Sequence, residues 1–175
     1  MSAQIFQGRY TAEIEDDFVV FLIGSRQPLL QLIRHNWVSL SFFKMVNELE
    51  ANPESGYLGG EFYFRFFPLE TVLISYWRSF DDLEYFSRSR DTIHYPAWVR
   101  FYKDVGSNSK LGIWHETYMV RANEYECIYG NMPQFGLGKA QQVEHKALTG
   151  RSRARQRSGN DHKPATAEDV DLVMD

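Results

Sequence analysis

The 175-residue chain is 43% hydrophobic and 15% aromatic, with a formal net charge of −4 and a pI near 5.7. That balance suits one globular domain with a real core and argues against nucleic acid, which favours basic stripes. A single cysteine, Cys127, excludes an internal disulfide framework and agrees with a reducing compartment.

The opening segment, MSAQIFQGRYTAEIEDD, has neither a basic start nor an apolar core, so it does not read as a signal peptide. No apolar run approaches the roughly 20 residues that span a bilayer. The expectation is a soluble, cytoplasmic protein with no membrane span. DFVVFLIGSRQ (17–27) is β-branched and aromatic and precedes Pro28, which predicts a buried strand. Residues 29–51 carry Leu40, Phe43, Val46 and Leu49 at three-residue steps, predicting a helix that ends near NPESG. YLGGEFYFRFF (57–67) and ETVLISYWRSF (70–80) form a hairpin candidate around Pro68.

Ser79 ahead of Asp81, Asp82 and Glu84 marks a helix start with an acidic first turn. A second helical piece is expected from Pro96 to Gly106. GIWHETYMV (112–120) suits a strand, and EYECIYG adds a further candidate. The order strand, helix, strand, strand, helix, strand is the ferredoxin-like α+β pattern, an antiparallel four-stranded sheet with both helices on one face.

The strands are apolar on both faces: Val19, Phe21 and Ile23 alternate with Phe18, Val20 and Leu22. Helices cover one face, so something else must cover the other. A second copy of the sheet does so economically, which predicts a homodimer, a dimeric α+β barrel. A C-terminal segment folded back across the sheet is the alternative. From Lys139 onward aromatic residues vanish, so the domain is placed at 1–140 and a disordered tail at 141–175. The tail holds a basic cluster at 151–157.

No strong catalytic signature is present. GLGKA (136–140) is only a fragment of a phosphate loop, because Pro133 and Ala140 stand where a full one needs glycine and Ser or Thr. The neighbours His115 and Glu116 lack the second histidine of a helical zinc motif, since Met119 occupies that place. On a strand the two face opposite ways. No metal site is therefore expected.

His145 and His162 fall in the tail, and His35 beside Trp37 reads as structural or exposed. His115 and His94 are the candidate proton shuttles, or axial ligands if haem is bound. Arg65 and Arg78 are charges within covered strands, either paired structurally (Arg65 with Glu61, Arg78 with Glu116) or placed in a pocket. Tyr63, Trp77, Trp98, Trp114 and Tyr118 are the candidate aromatic walls.

Six stretches carry a resemblance in order: FLIGSR, NPESGYLGGEFYF, SYWRSFDDLEYFSR, HYPAWVRFYKDVGSN, GIWHETY and YECIYGNMPQFGLGKA. Over about residues 15–140 the chain resembles a family of small monooxygenase-like proteins of bacteria and fungal secondary-metabolite clusters. One member acts in fumagillin biosynthesis as an antibiotic-biosynthesis-monooxygenase-type hydroxylase. The resemblance implies a dimeric α+β barrel and a tailoring monooxygenase that oxidises an apolar intermediate with molecular oxygen. In a cofactor-independent scheme His115 is the preferred base, Arg65 or Arg78 the anion stabiliser, and Trp77 and Trp114 the walls. Relatives of the barrel include haem-binding oxygenases and dehydratases, so haem b on His94 or His115 is the alternative. A non-catalytic ligand-binding or scaffolding dimer is the third.

Overall fold

The computed structural model describes residues 3–28, 32–92, 94–105 and 110–148, with the backbone alone for residues 32–36, 39, 104 and 105. His35, the end of the second helical piece at Gly106 and the segment 149–175 with His162 lie outside the described side chains or residues. Seven strands and three helices follow in order. They are β1 (Phe6–Glu13), β2 (Phe18–Gln27), α1 (Leu32–Glu50), β3 (Tyr57–Arg65) and β4 (Leu69–Trp77). Then come α2 (Phe80–Arg88), α3 (His94–Val105), β5 (Gly112–Val120), β6 (Tyr129–Met132) and β7 (Glu144–Ala147).

The main sheet has the order β3-β4-β2-β5 and is antiparallel throughout. With β2, α1, β3, β4, the α2–α3 pair and β5 in sequence, this is the ferredoxin-like arrangement expected from the pattern. Register assigns the faces. Val19, Phe21 and Ile23 of β2 stand opposite Met119, Thr117 and His115 of β5, and opposite Trp77, Ser75 and Leu73 of β4. That face meets the helices. Val19, Val46, Leu49, Tyr57, Leu73, Trp77 and Leu83 form one buried cluster there, and Val38, Phe42 and Leu111 form another.

α1 shows why three-residue steps misread its face. Its buried residues are Val38, Phe42, Val46 and Leu49, spaced near the helical period, while Leu40 and Phe43 drift outward and are 54% and 40% exposed. Beyond α1, Asn52 Oδ1 accepts from the Glu54 amide at 3.2 Å and starts a short 3₁₀ turn, Pro53–Ser55. Gly56 closes it at φ 75°, where a side chain would also run into Asp82. α2 begins as its sequence implies: Ser79 Oγ accepts from the Asp82 amide at 3.1 Å, and Asp81 and Asp82 occupy the first turn. α3 begins at His94 rather than Pro96. Proline inside the first turn costs no hydrogen bond, because the amides there have no helical partner.

The second face is where the structure departs from expectation. β6, β1 and β7 make a separate three-stranded sheet, which carries the first and last described segments together. Ala12, Ile14, Phe18, Leu58, Leu137 and Ala140 form its buried junction with the main sheet, with Val20, Tyr76, Val120, Tyr125 and Tyr129 against it. The chain thus covers part of its own second face. The alternative of a segment folded back across the sheet describes this part of the face, with the N-terminal strand β1 sharing in the cover.

The boundary at residue 140 moves as well. Glu144–Ala147 pairs with Tyr10–Glu13, and the Leu148 amide donates to the Arg9 carbonyl at 2.8 Å. The last strand expected at EYECIYG forms later, at Tyr129–Met132. Deleting residues 143–175 removes β7 and should lower the melting temperature by roughly 4–8 °C, the response to about 2 kcal/mol in a chain of this size. Deleting only 149–175 should leave it unchanged, and calorimetry on the two truncations separates them.

Candidate functional site

A cavity of about 710 Å³ lies between the helix-facing side of the main sheet and the three helices. Its floor is Phe21 and Ile23 of β2 with Ile113, His115 and Thr117 of β5. α1 contributes Trp37, Phe42 and Met45, and α2 contributes Leu83, Glu84 and Arg88. His94, Tyr95, Trp98, Phe101 and Tyr102 come from α3. Such a volume, walled by aromatic and aliphatic side chains with several polar groups among them, is the usual form of a small-molecule site.

Both candidate histidines reach this cavity. His115 follows from alternation on β5, and its ring lies 5.8 Å from that of Phe21. It is solvent-accessible. His94 is placed by the start of α3, with its ring 5.7 Å from Phe86. Its Nδ1 is buried with no hydrogen-bond partner. Burial pushes this imidazole below its ordinary value, opposed by the Ser87 backbone, so His94 is neutral at neutral pH.

Glu84 and Arg88, one turn apart on α2, pair at 3.0 Å on the lining. Two of the lining hydroxyls are committed within their own helices: Ser41 Oγ donates to the Trp37 carbonyl and Ser87 Oγ to the Glu84 carbonyl, both at 2.8 Å. Thr117 supplies a hydroxyl on the sheet side, two residues from His115. Arg100 stacks 4.2 Å above the Trp37 ring.

Of the residues singled out from sequence, Trp98 joins the two histidines and the others lie elsewhere. Arg65 faces away from the helices and pairs with Glu70 at 2.5 Å. Arg78 pairs with Asp82 at 2.9 Å beside the start of α2. The pairs suggested from sequence, Arg65 with Glu61 and Arg78 with Glu116, give way to these, because Glu61 takes Lys139 at 3.2 Å and Glu116 accepts from Tyr118 Oη at 2.6 Å.

Trp77 is a core residue, 2% exposed, with its indole N–H donating to Ser75 Oγ at 3.0 Å. Tyr63, Trp114 and Tyr118 lie on the opposite face of the sheet. There Trp114 packs against Gly24, where a side chain would meet the indole at 2.6 Å. Sequence reasoning missed Trp37, Tyr95, Phe101 and Tyr102. Aromatic spacing on α3 was the available signal. Among the described residues, no group of three or more His, Cys, Asp and Glu is arranged to hold a metal ion.

A family model described as monooxygenase af470-like matches residues 18–137. The chain belongs to that family. No curated protein sequence matches it. Among solved structures, an aldoxime dehydratase superposes with a TM-score of 0.60 at 17% identity, over 85% of this chain and 45% of its own. Another, aldoxime dehydratase OxdRE in complex with butyraldoxime, gives 0.61 at 17% identity, over 85% and 44%. This chain therefore spans less than half the length of those proteins, and at that identity the likeness is one of fold. A dimeric protein of ferredoxin-like fold from Bacteroides fragilis matches at 17% identity over 58% of this chain and 95% of its own, with a TM-score of 0.40.

The burial of His94 has a consequence for stability. Its native value is below the ordinary 6.5, so as pH falls through 6.5 the unfolded chain binds its proton first and folding stability drops. His145, also lowered by burial, acts in the same direction. His94→Gln should therefore flatten the loss of stability between about pH 7 and pH 5, read from urea midpoints, since His94 no longer titrates.

Proposed function

We propose that this protein is a monooxygenase whose active site is the cavity between the sheet and the helices, and whose substrate is an apolar intermediate of secondary metabolism. The observation that carries this reading is the meeting of two histidines, from α3 and β5, on one aromatic cavity. In a cofactor-independent reaction the substrate supplies the electrons. An acidic methylene gives a proton to an imidazole, and the resulting anion, spread over neighbouring carbonyl or aromatic groups, reduces molecular oxygen. One oxygen atom is kept and the other leaves as water, so CH₂ and O₂ become C=O and H₂O.

His115 is the base in this scheme, because it is the imidazole that the cavity reaches openly. Thr117, a lining hydroxyl two residues from His115, would donate to the substrate's developing oxyanion, while Arg65 and Arg78 lie off the lining. His94, kept neutral by burial, is the second imidazole on the wall.

Haem b is the second reading, favoured by the accessible ring of His115. That residue fits the role of axial ligand, while His94 Nδ1 is enclosed by protein. A bound haem would supply oxygen activation, or the dehydration that the name of the aldoxime dehydratases describes.

Anthrone, an apolar tricycle with an acidic methylene, is a suitable probe. The protein should consume oxygen with it, and His115→Ala should slow turnover by about 10²- to 10⁴-fold with the fold intact. Oxygen uptake unchanged by both His115→Ala and His94→Ala would remove this cavity from the reaction. A Soret band after haem supplementation, lost in His115→Ala, would instead favour the haem reading.

The protein also pairs with a second copy in this reading. Its support is the part of the second sheet face beyond the small sheet, where Tyr63, Trp114 and Tyr118 are 42%, 38% and 52% exposed. Sedimentation at micromolar concentration should show a dimer that Trp114→Glu dissociates. A monomeric wild type would contradict it.

A further inference from the structure

The β3–β4 hairpin ends in two adjacent phenylalanines that nothing in the fold explains. Phe66 and Phe67 are 80% and 86% exposed, although rings of this size ordinarily find cover. They do not stand alone. Phe64, 48% exposed, precedes them on β3 with its ring 6.2 Å from that of Phe43 on α1, and Leu40, one turn earlier on α1, is 54% exposed. Two adjacent phenylalanines this exposed, with a third two residues before them, differ from the single apolar side chains scattered over an ordinary surface.

We infer that this hairpin tip docks the protein onto the surface of an anionic lipid bilayer, with Phe66 and Phe67 entering the headgroup boundary. Shape is the first argument. The rings project from the end of a hairpin, and a convex apolar point is suited to entering a soft interface.

Charge is the second argument. Across the strands beside the hairpin turn, Arg65 and Arg26 flank one carboxylate, Glu70, at 2.5 and 3.4 Å. This row keeps a net positive charge on side chains that are 60% and 67% exposed. Lys44, also exposed, follows Phe43 on α1.

The third argument is in the sequence beyond the described residues. Arg151, Arg153, Arg155 and Arg157 form a polybasic run in a chain whose overall charge is −4. Reversible attachment to a membrane typically combines one apolar insertion with one polybasic attraction to acidic headgroups. No helix among the described residues is long and apolar enough to cross a membrane, so the attachment is interfacial.

Co-sedimentation of the full chain with phosphatidylcholine vesicles, with and without phosphatidylserine, tests the inference. The protein should pellet with the phosphatidylserine vesicles and be released by salt. Phe66→Ser with Phe67→Ser should weaken binding by roughly tenfold or more, while circular dichroism and melting temperature stay unchanged because both rings are exposed. Replacing the four arginines by glutamine should reduce the salt-sensitive part and leave the part that depends on Phe66 and Phe67. A Phe67→Trp reporter should shift its emission to the blue on adding those vesicles.

Wild-type protein left in the supernatant would overturn the inference. So would vesicle binding that the double serine variant retains. If that variant instead turns a dimer into a monomer while vesicles bind neither form, the tip is a contact between copies and the lipid reading fails.

Discussion

A sheet whose central strands are apolar on both sides must be covered on both sides, and this constraint organises the molecule. β2 is the pivot, because it pairs with β4 along one edge and β5 along the other. Its odd-numbered residues, Val19, Phe21 and Ile23, face the helices, and Phe18 and Val20 face the small sheet. Burial of such side chains is worth roughly 1.5–3 kcal/mol each, which offsets part of the cost of ordering a covering segment. The N-terminal strand and the segment around Leu137 supply that cover close to the Phe18 end. Farther along the same face, Trp114 lies across Gly24 and stays partly open.

The helix side is covered differently. α1 and the α2–α3 pair close over Val19 and Leu73 but leave space above Phe21, Ile23 and the outer strand β5. That gap is the cavity. Its polar groups arise from two local rules, alternation on β5 for His115 and Thr117 and the start of α3 for His94. Both imidazoles line the cavity, but His94 Nδ1 is enclosed by protein whereas His115 is solvent-accessible. Ser41, Ser87 and the Glu84–Arg88 pair add further polarity among aromatic and aliphatic side chains.

Much of this was legible in the sequence where period and capping act locally. The four main strands, the Ser79 cap of α2 and the separation of His115 from Glu116 follow from alternation and from one hydroxyl. β1 and β7 were hidden for a physical reason. β7 is Glu144–Ala147, four residues with no apolar pattern, and it is a strand because its backbone pairs with β1 and His145 stacks on Tyr10 at 4.7 Å. Sequence period carries no record of such pairing.

The aromatic and charged candidates were harder for another reason. Nothing local distinguishes Trp98, on a cavity wall, from Trp77, a core residue that donates to Ser75. Arg65 and Arg78 read as charges seeking a function, and each had a carboxylate within reach through strand register or one helical turn. The partner of Arg65 depends on the hairpin register, whereas the four-residue spacing of Arg78 and Asp82 was a readable signal.

The central claim is that one apolar ligand in the helix-side cavity meets both His94 and His115. Imidazole nitrogen resonances of the labelled protein, recorded while anthrone is added, test it most directly. Perturbation of His94 and His115 together, with His145 unchanged, is the expected result. Unmoved His94 and His115 signals beside a shifted Trp114 indole would place the ligand on the opposite face of the sheet and contradict the account.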